Sequence, residues 1–397
     1  MTPHYFFEIT LKITQVVAWL VAFFWLYQAF GVLRGLPRVP DLLQLPNPPI
    51  DPAAPSLTGI VPACNEARDI AACLESLLEQ DYPNLDILAV NDRSTDQTGA
   101  IMDALAAQHP RRLRVLHVTD LPSGWLGKTH AMALAARHSA ADLLLFTDAD
   151  VLFAPDALRR SVAYLTASRG DHLVTMPTLI IRRWDEAAVL GFLQLSALLA
   201  ARPWRVADPT SQRDSIGVGA FNLVKRSAYL QVGGFEALRM EVVEDLGLAR
   251  RIKRAGLAPR LAFARNLVNV HWASGALGLV RVMTKNVFSA LSFSIVSVLI
   301  ACGGLLVCSV LPFTGIFLPH LRLPALIVLF AIVPQYRALG RQSGISAWNA
   351  LLMPFGAFLL VIVVLRSMAT TLAQGGIVWR GTFYPLAELR KNAASLK

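Results

Sequence analysis

The chain has 397 residues, 54% of them hydrophobic, with a net charge of +10 and a mean hydropathy of +0.48. It is too apolar for an ordinary soluble enzyme and too long for a few membrane spans alone, so one folded domain joined to membrane segments is expected. The positive charge suits an anionic lipid surface. No nucleic-acid partner is expected, because the Lys and Arg residues are scattered over helical patterns instead of clustering with aromatics. Cys64, Cys73, Cys302 and Cys308 form no CxxC pair and no Cys/His cluster, and read as inert packing residues.

In chain order, residues 13–33 carry no charge and are long enough to cross a hydrocarbon core, so 1–36 reads as an N-terminal transmembrane anchor. Arg34 and Arg38 follow it, while Lys12 is offset by Glu8. This asymmetry predicts an integral protein of the inner or plasma membrane with the domain that follows the anchor in the cytoplasm. The proline-rich stretch 37–55 reads as a stiff linker.

Residues 56–275 alternate short apolar runs with amphipathic patterns, which predicts an α/β fold with a mainly parallel sheet covered by helices. Strands are expected at 57–61, 85–90, 113–118, 142–146 and 172–176, with helices at 66–80, 95–109, 129–140 and 155–167. In such sheets ligands sit beyond the carboxyl ends of the strands.

The remainder, 276–397, is a membrane region with a basic tail. Candidate spans lie near 288–312, 322–336 and 347–369, giving two or three transmembrane or interfacial helices. The middle one contains Pro324 and Pro334, and spanning, tilted and re-entrant arrangements all remain open for it. Arg380, Arg390, Lys391 and Lys397 favour a cytoplasmic end, whereas three full crossings from a cytoplasmic domain would leave it outside.

The chemistry lies at the strand ends. The first strand runs into Pro62-Ala63-Cys64-Asn65-Glu66, which makes Pro62, Asn65 and Glu66 donor-side candidates. The second runs into Asn91-Asp92-Arg93-Ser94-Thr95-Asp96, where Asp92 is a candidate nucleotide contact and Asp96 a helix cap. The fourth meets Thr147-Asp148-Ala149-Asp150. Two carboxylates at this spacing repel each other unless a cation or a proton neutralises them, so Asp148 and Asp150 are expected to hold Mg²⁺ or Mn²⁺ bridging a diphosphate.

Glu244-Asp245 opens an amphipathic helix ending at Gly256, with Asp245 the candidate general base and Glu244 on the acceptor side. Between these elements lies Pro122-Ser123-Gly124-Trp125-Leu126-Gly127-Lys128. Its amides and the Lys128 ammonium are expected to meet phosphate oxygens, although the spacing is not that of a Walker A loop.

Taken in order, PACNE, NDRSTD, GWLGK, TDAD, the stretch from Gly219 to Phe235, and VEDLGLARRIKRAG resemble an inverting family 2 glycosyltransferase with a GT-A fold. The resemblance covers about 56–275. The GWLGK loop and the late segment Trp379-Arg380-Gly381-Thr382-Phe383-Tyr384 are similar to the membrane-bound branch associated with hopanoid and carotenoid glycosylation. The resemblance implies donor contacts at Asp92, metal at Asp150 with Asp148 nearby, and a base at Asp245. It also implies a nucleotide-diphosphate sugar donor and a lipid or other hydrophobic acceptor.

The chain departs from processive members in lacking a Q/R-x-x-R-W element after the base. Arg182-Arg183-Trp184 precedes Asp245 and reads as a turn with an aromatic packing contact. His271 and Trp272 occupy the acceptor-side region, where an interfacial anchor is an equal reading. A processive polysaccharide synthase and a noncatalytic nucleotide-sugar-binding adaptor are the competing readings.

Overall fold

The computed structural model describes residues 3–284, 287–379 and 381–395. They form two units, a mixed α/β unit of Val39–Ile180, Ala201–Trp272 and the segment from Val378 onward, and an apolar helical unit of the residues up to Arg38, Ile181–Ala200 and Ala273–Ile377.

The mixed unit is built on β1 (Leu57–Ala63), β2 (Leu85–Asp92), β3 (Leu113–Val118), β4 (Leu143–Phe146), β5 (Val151–Phe153), β6 (His172–Leu179), β7 (Asn222–Lys225) and β8 (Pro259–Val270). Their order in one sheet is β3-β2-β1-β4-β7-β6-β8-β5. β1 runs parallel to β2 and β4, β2 to β3, and β6 to β8, whereas β7 and β5 are antiparallel to their neighbours. Every residue of β1 and β4 is buried, as expected where helices cover both faces of a sheet.

The mostly parallel sheet was legible in the apolar runs. The short strands β5 and β7 and the twelve-residue β8 were not, because Arg260, Arg265 and Asn266 interrupt the pattern of β8. The first helix begins at Ile70 instead of 66. The preceding residues are held to the neighbouring loop, with Glu66 N donating to Thr98 Oγ1 at 2.8 Å and Ala67 N to Asp96 Oδ2 at 3.2 Å.

Three expected boundaries differ. The 37–55 stretch is no free linker, since Leu42 is fully buried and the backbone bonds Leu42 N to Phe263 O (2.9 Å) and Phe263 N to Pro40 O (2.8 Å) fasten it to β8. Residues from Val378 onward belong to the mixed unit instead of a membrane tail. They begin within β9 (Gly376–Trp379) and include β10 (Thr382–Pro385), which pairs with it. Arg390 and Lys391 lie on the Leu386–Ser395 helix, while Arg380 and Lys397 fall outside the described residues.

The third difference is the Trp184–Ala200 helix, which the sequence reading placed inside the α/β domain and which clusters with the apolar helices. Asp185 and Glu186 disguised it. Both are consumed as backbone caps: Glu186 accepts from Arg182 N (2.8 Å) and Gly275 N (2.7 Å), and Asp185 from Ala276 N (2.9 Å). These bonds satisfy amides that a helix start would otherwise bury unpaired. Arg183 pairs with Asp185 at 2.9 Å, and Trp184 meets Phe355 with ring centroids 5.8 Å apart. Arg182-Arg183-Trp184 therefore opens a long apolar helix.

Five helices in the described residues are long and apolar enough to cross a membrane: Phe7–Arg38, Trp184–Arg205, Ile295–Gly315, Arg322–Ser343 and Ala347–Gln374. The fourth is continuous through Pro334. Small residues permit close packing within the unit, as a Cβ on Gly356 would lie 2.6 Å from Phe192 Cβ.

In the mixed unit, buried Lys253 donates to the carbonyls of Arg205 (3.1 Å), Val206 (2.8 Å) and Asp214 (2.8 Å). Asp214 in turn is held by Arg202. Removing an ammonium that satisfies three carbonyls leaves them unpaired, so Lys253→Met should destabilise the unit by about 2 kcal/mol. The urea midpoint should fall with an unchanged slope; an unaltered midpoint would contradict the assignment.

Candidate active site

The site gathers where β4 ends. Asp148 and Asp150 fall in the turn between β4 and β5, and Thr147 Oγ1 donates to Ala220 O at 2.8 Å, fixing that turn to the loop before β7. Lys128 sits in the first turn of the Gly127–Arg137 helix, and Asp245 in the first turn of Glu244–Arg254, which Gly256 follows at φ +71°. A small cavity is lined by Lys128, Phe146, Thr147, Asp148, Gly219, Asn222, Phe235, Glu244 and Asp245, among others.

Lys128 Nζ lies 2.5 Å from Asp148 Oδ1 and 2.6 Å from Glu244 Oε1. Burial alone would pull its pKa down, but Asp148 and Glu244 together hold it above the ordinary lysine value, so the ammonium stays charged. Asp150 is pushed up to about 7, first by burial and then by Asp148 and Glu66. Asp245 is also pushed up to about 7, first by burial, then by Glu244, with Lys128 opposing. Its Oδ1 accepts from Leu246 N at 2.7 Å. A carboxylate tuned near neutrality suits a general base.

Two glycines make this density possible. A Cβ on Gly219 would lie 2.5 Å from Asp148 Oδ2, and one on Gly217 would collide with the Asp245 carbonyl. Asn222 donates to Val218 O (2.5 Å) and pairs with buried His172 Nε2 (3.1 Å), whose pKa burial lowers to about 4. Sequence reasoning missed Gly217 and Asn222. The small-residue run Gly217-Val218-Gly219-Ala220 was the available signal.

The donor-side candidates sort differently. Pro62 is buried in the body of β1, so it is not a loop contact. Asn65, at φ +57°, accepts from Thr95 N at 2.8 Å, and Asp96 Oδ1 accepts from Thr98 N at 2.9 Å from one position before the N-cap residue Gln97, so Asp96 is not itself the cap. Asp92 is 1% exposed and both its oxygens are taken by Arg93, at 2.8 and 3.1 Å. Arg93, at φ +56°, also donates to Thr382 Oγ1 at 3.2 Å. Asp92 is thus placed to orient Arg93.

Two of the amides expected to cradle phosphate are engaged as well. Leu126 N donates to Arg239 O (2.8 Å) and Gly127 N to Tyr384 Oη (3.3 Å). His271 and Trp272 follow β8 and do not line the cavity, and Trp272 is exposed. All four cysteines are free thiols, and burial pushes that of Cys73 up.

Residues 58–246 match the family described as Glycosyl transferase family 2. Residues 58–246 thus resemble a family 2 glycosyltransferase domain. Over 198 residues it is 28% identical to 4,4'-diaponeurosporenoate glycosyltransferase of Staphylococcus aureus, in strain bovine RF122 / ET3-1 and in strain USA300 alike. Each match covers 49% of this chain and 50% of the relative, so the chain spans about half the length of the curated relatives it matches. Among solved structures it is similar to mannosyltransferase PcManGT from Pyrobaculum calidifontis, in complex with GDP-Man and Mn²⁺, with TM-score 0.55 and 20% identity over 91% of this chain and 99% of that one. That likeness supports the GT-A fold.

Gly219→Ala tests the crowding at Asp148. Displacing one carboxylate should lower kcat/KM by roughly ten- to a hundredfold, as small misplacements at reacting centres do, with little change in Tm. Full activity in this variant would show that the Asp148 carboxylate tolerates displacement.

Proposed function

We propose that the chain is an inverting glycosyltransferase that moves a sugar from a nucleotide-diphosphate donor to a hydroxyl on a lipid acceptor of carotenoid type. The observation that carries this reading is the convergence of Lys128, Asp148, Glu244 and Asp245 on one cavity, in a chain whose described residues include five helices of membrane-spanning length. The family 2 domain supports the reaction class. The name of the S. aureus relative supports a hydrophobic polyene acceptor, and the PcManGT complex supports a nucleotide sugar with a divalent ion.

No cluster of three or more His, Cys, Asp or Glu among the described residues is arranged to hold a metal. Asp148 and Asp150 nevertheless fit a hard divalent ion shared with a diphosphate, because both offer oxygens and the raised proton affinity of Asp150 marks negative charge that a cation would relieve. Mg²⁺ or Mn²⁺ bound there would offset charge on the leaving diphosphate. Lys128 would contribute a second positive charge. Asp245 would take the acceptor proton, and direct displacement would invert the anomeric centre. Glu244, paired with Lys128, is better placed to tune that ammonium than to touch the acceptor.

A cytoplasmic α/β unit agrees with Arg34 and Arg38 after the first span.

Incubating the detergent-purified full chain with membrane lipid extract, labelled nucleotide sugars and Mn²⁺ should give a lipid product one sugar heavier by mass spectrometry. EDTA and Asp245→Asn should each abolish it. Donor binding without any lipid product would defeat the acceptor assignment.

The pH profile supplies a second check. Burial and Glu244 push Asp245 up to about 7 in the metal-free site, and a divalent ion beside Asp148 would lower that value, so kcat/KM at saturating Mn²⁺ should rise with pH to a plateau with a midpoint at or below about 7. A rate independent of pH between 5.5 and 8.5, roughly the span over which such a group titrates, would remove Asp245 as the base.

A further inference from the structure

Lys128 occupies an unusual position for a group that would serve a phosphate. Its ammonium contacts one carboxylate of the Asp148-Ala149-Asp150 turn and one carboxylate of the general-base helix, at 2.5 and 2.6 Å. Its side chain is 15% exposed and that of Glu244 is 7% exposed, while Asp148 remains 37% exposed. The Glu244 end of the bridge is therefore the shielded end, where an ion pair is screened least. The Asp148 end faces solvent, and it is the end that an incoming cation or diphosphate can reach.

Competition follows from charge. An ammonium on Asp148 Oδ1 occupies a lone pair and reduces the negative charge that a divalent ion would otherwise meet. A diphosphate offers the same ammonium an alternative partner of higher charge. Glu244 can retain the ammonium in either arrangement, because it sits on a different element from Asp148 and holds Lys128 from the buried side.

We propose that Lys128 is an internal counter-cation that competes with the divalent metal for Asp148, and that Glu244 is a positioning residue acting through Lys128 by drawing the ammonium away from Asp148. This rests on the reading of Asp148 and Asp150 as the metal-binding pair and extends it to a control on binding order. Metal alone binds weakly. Diphosphate draws Lys128 off Asp148 and strengthens metal binding, so donor and metal load together. Such linkage is reciprocal, since whatever raises metal affinity on diphosphate binding raises diphosphate affinity on metal binding by the same factor.

The test is Mn²⁺ binding to the detergent-purified full chain without nucleotide, read from the free-Mn²⁺ signal in electron paramagnetic resonance. Lys128→Met should bind Mn²⁺ about tenfold more tightly than the wild type, and Glu244→Gln several-fold more weakly, magnitudes typical of contacting charged residues. The opposite signs matter, because general loosening of the site would weaken both variants. Glu244→Gln also keeps the proposal testable should Lys128→Met fail to fold. Adding inorganic pyrophosphate should protect the wild type against thermal unfolding more in the presence of Mn²⁺ than in its absence, and Lys128→Met should lose that synergy.

Equal Mn²⁺ affinity in the wild type and both variants, with binding lost in Asp150→Asn, would overturn the competition while leaving the metal pair intact. Mn²⁺ binding by neither the wild type nor Lys128→Met would overturn the metal pair and this inference with it.

Discussion

Asp148, Glu244 and Asp245 line one cavity and, with Asp150 in the same turn as Asp148, carry more negative charge than partly buried surroundings tolerate, while a single ammonium from Lys128 bridges two of them. Unpaired carboxylates in such surroundings take up protons or bind cations. The values near 7 for Asp150 and Asp245 record that tension. Most of the site's proposed chemistry follows from it: affinity for a divalent ion, a base poised near neutrality, and a lysine able to exchange a carboxylate partner for a phosphate.

The fold creates this concentration of charge by routing distant segments to one end of the sheet. β1, β2 and β4 run parallel, so their following loops open on the same edge. β7 enters antiparallel beside β4, which brings the Gly217–Ala220 run against the Asp148 turn. The glycines are required by volume, since a methyl group at either would enter space held by Asp148 or by the Asp245 backbone. Lys253, on the helix that bears Asp245, secures the preceding loop through three carbonyls.

Around this centre, the segment after β9 returns to the α/β unit. Thr382 meets Arg93 and Tyr384 meets Gly127, so groups that sequence reasoning assigned to nucleotide and phosphate already have protein partners. Asp92 shows the same shift. Its position directly after a strand suggested a ligand contact, whereas it is buried under Arg93. Asp92 and Arg93 form a paired unit there.

The sequence alone determined the α/β class, the TDAD and Glu244-Asp245 elements and most of the long apolar helices, because strand runs, acidic motifs and uncharged stretches are local patterns that tertiary packing does not change. It misread Trp184–Ala200, whose leading carboxylates are engaged as caps by backbone far along the chain. It also misread the proline-rich stretch, which packs through Leu42. Tertiary structure decided which charged groups face each other. Lys128, Asp148 and Glu244 are separated in sequence by 20 and 96 residues respectively, and no local pattern records that they meet. Their coupling arises when the folded sheet brings the three elements together and removes most of the water between their charges.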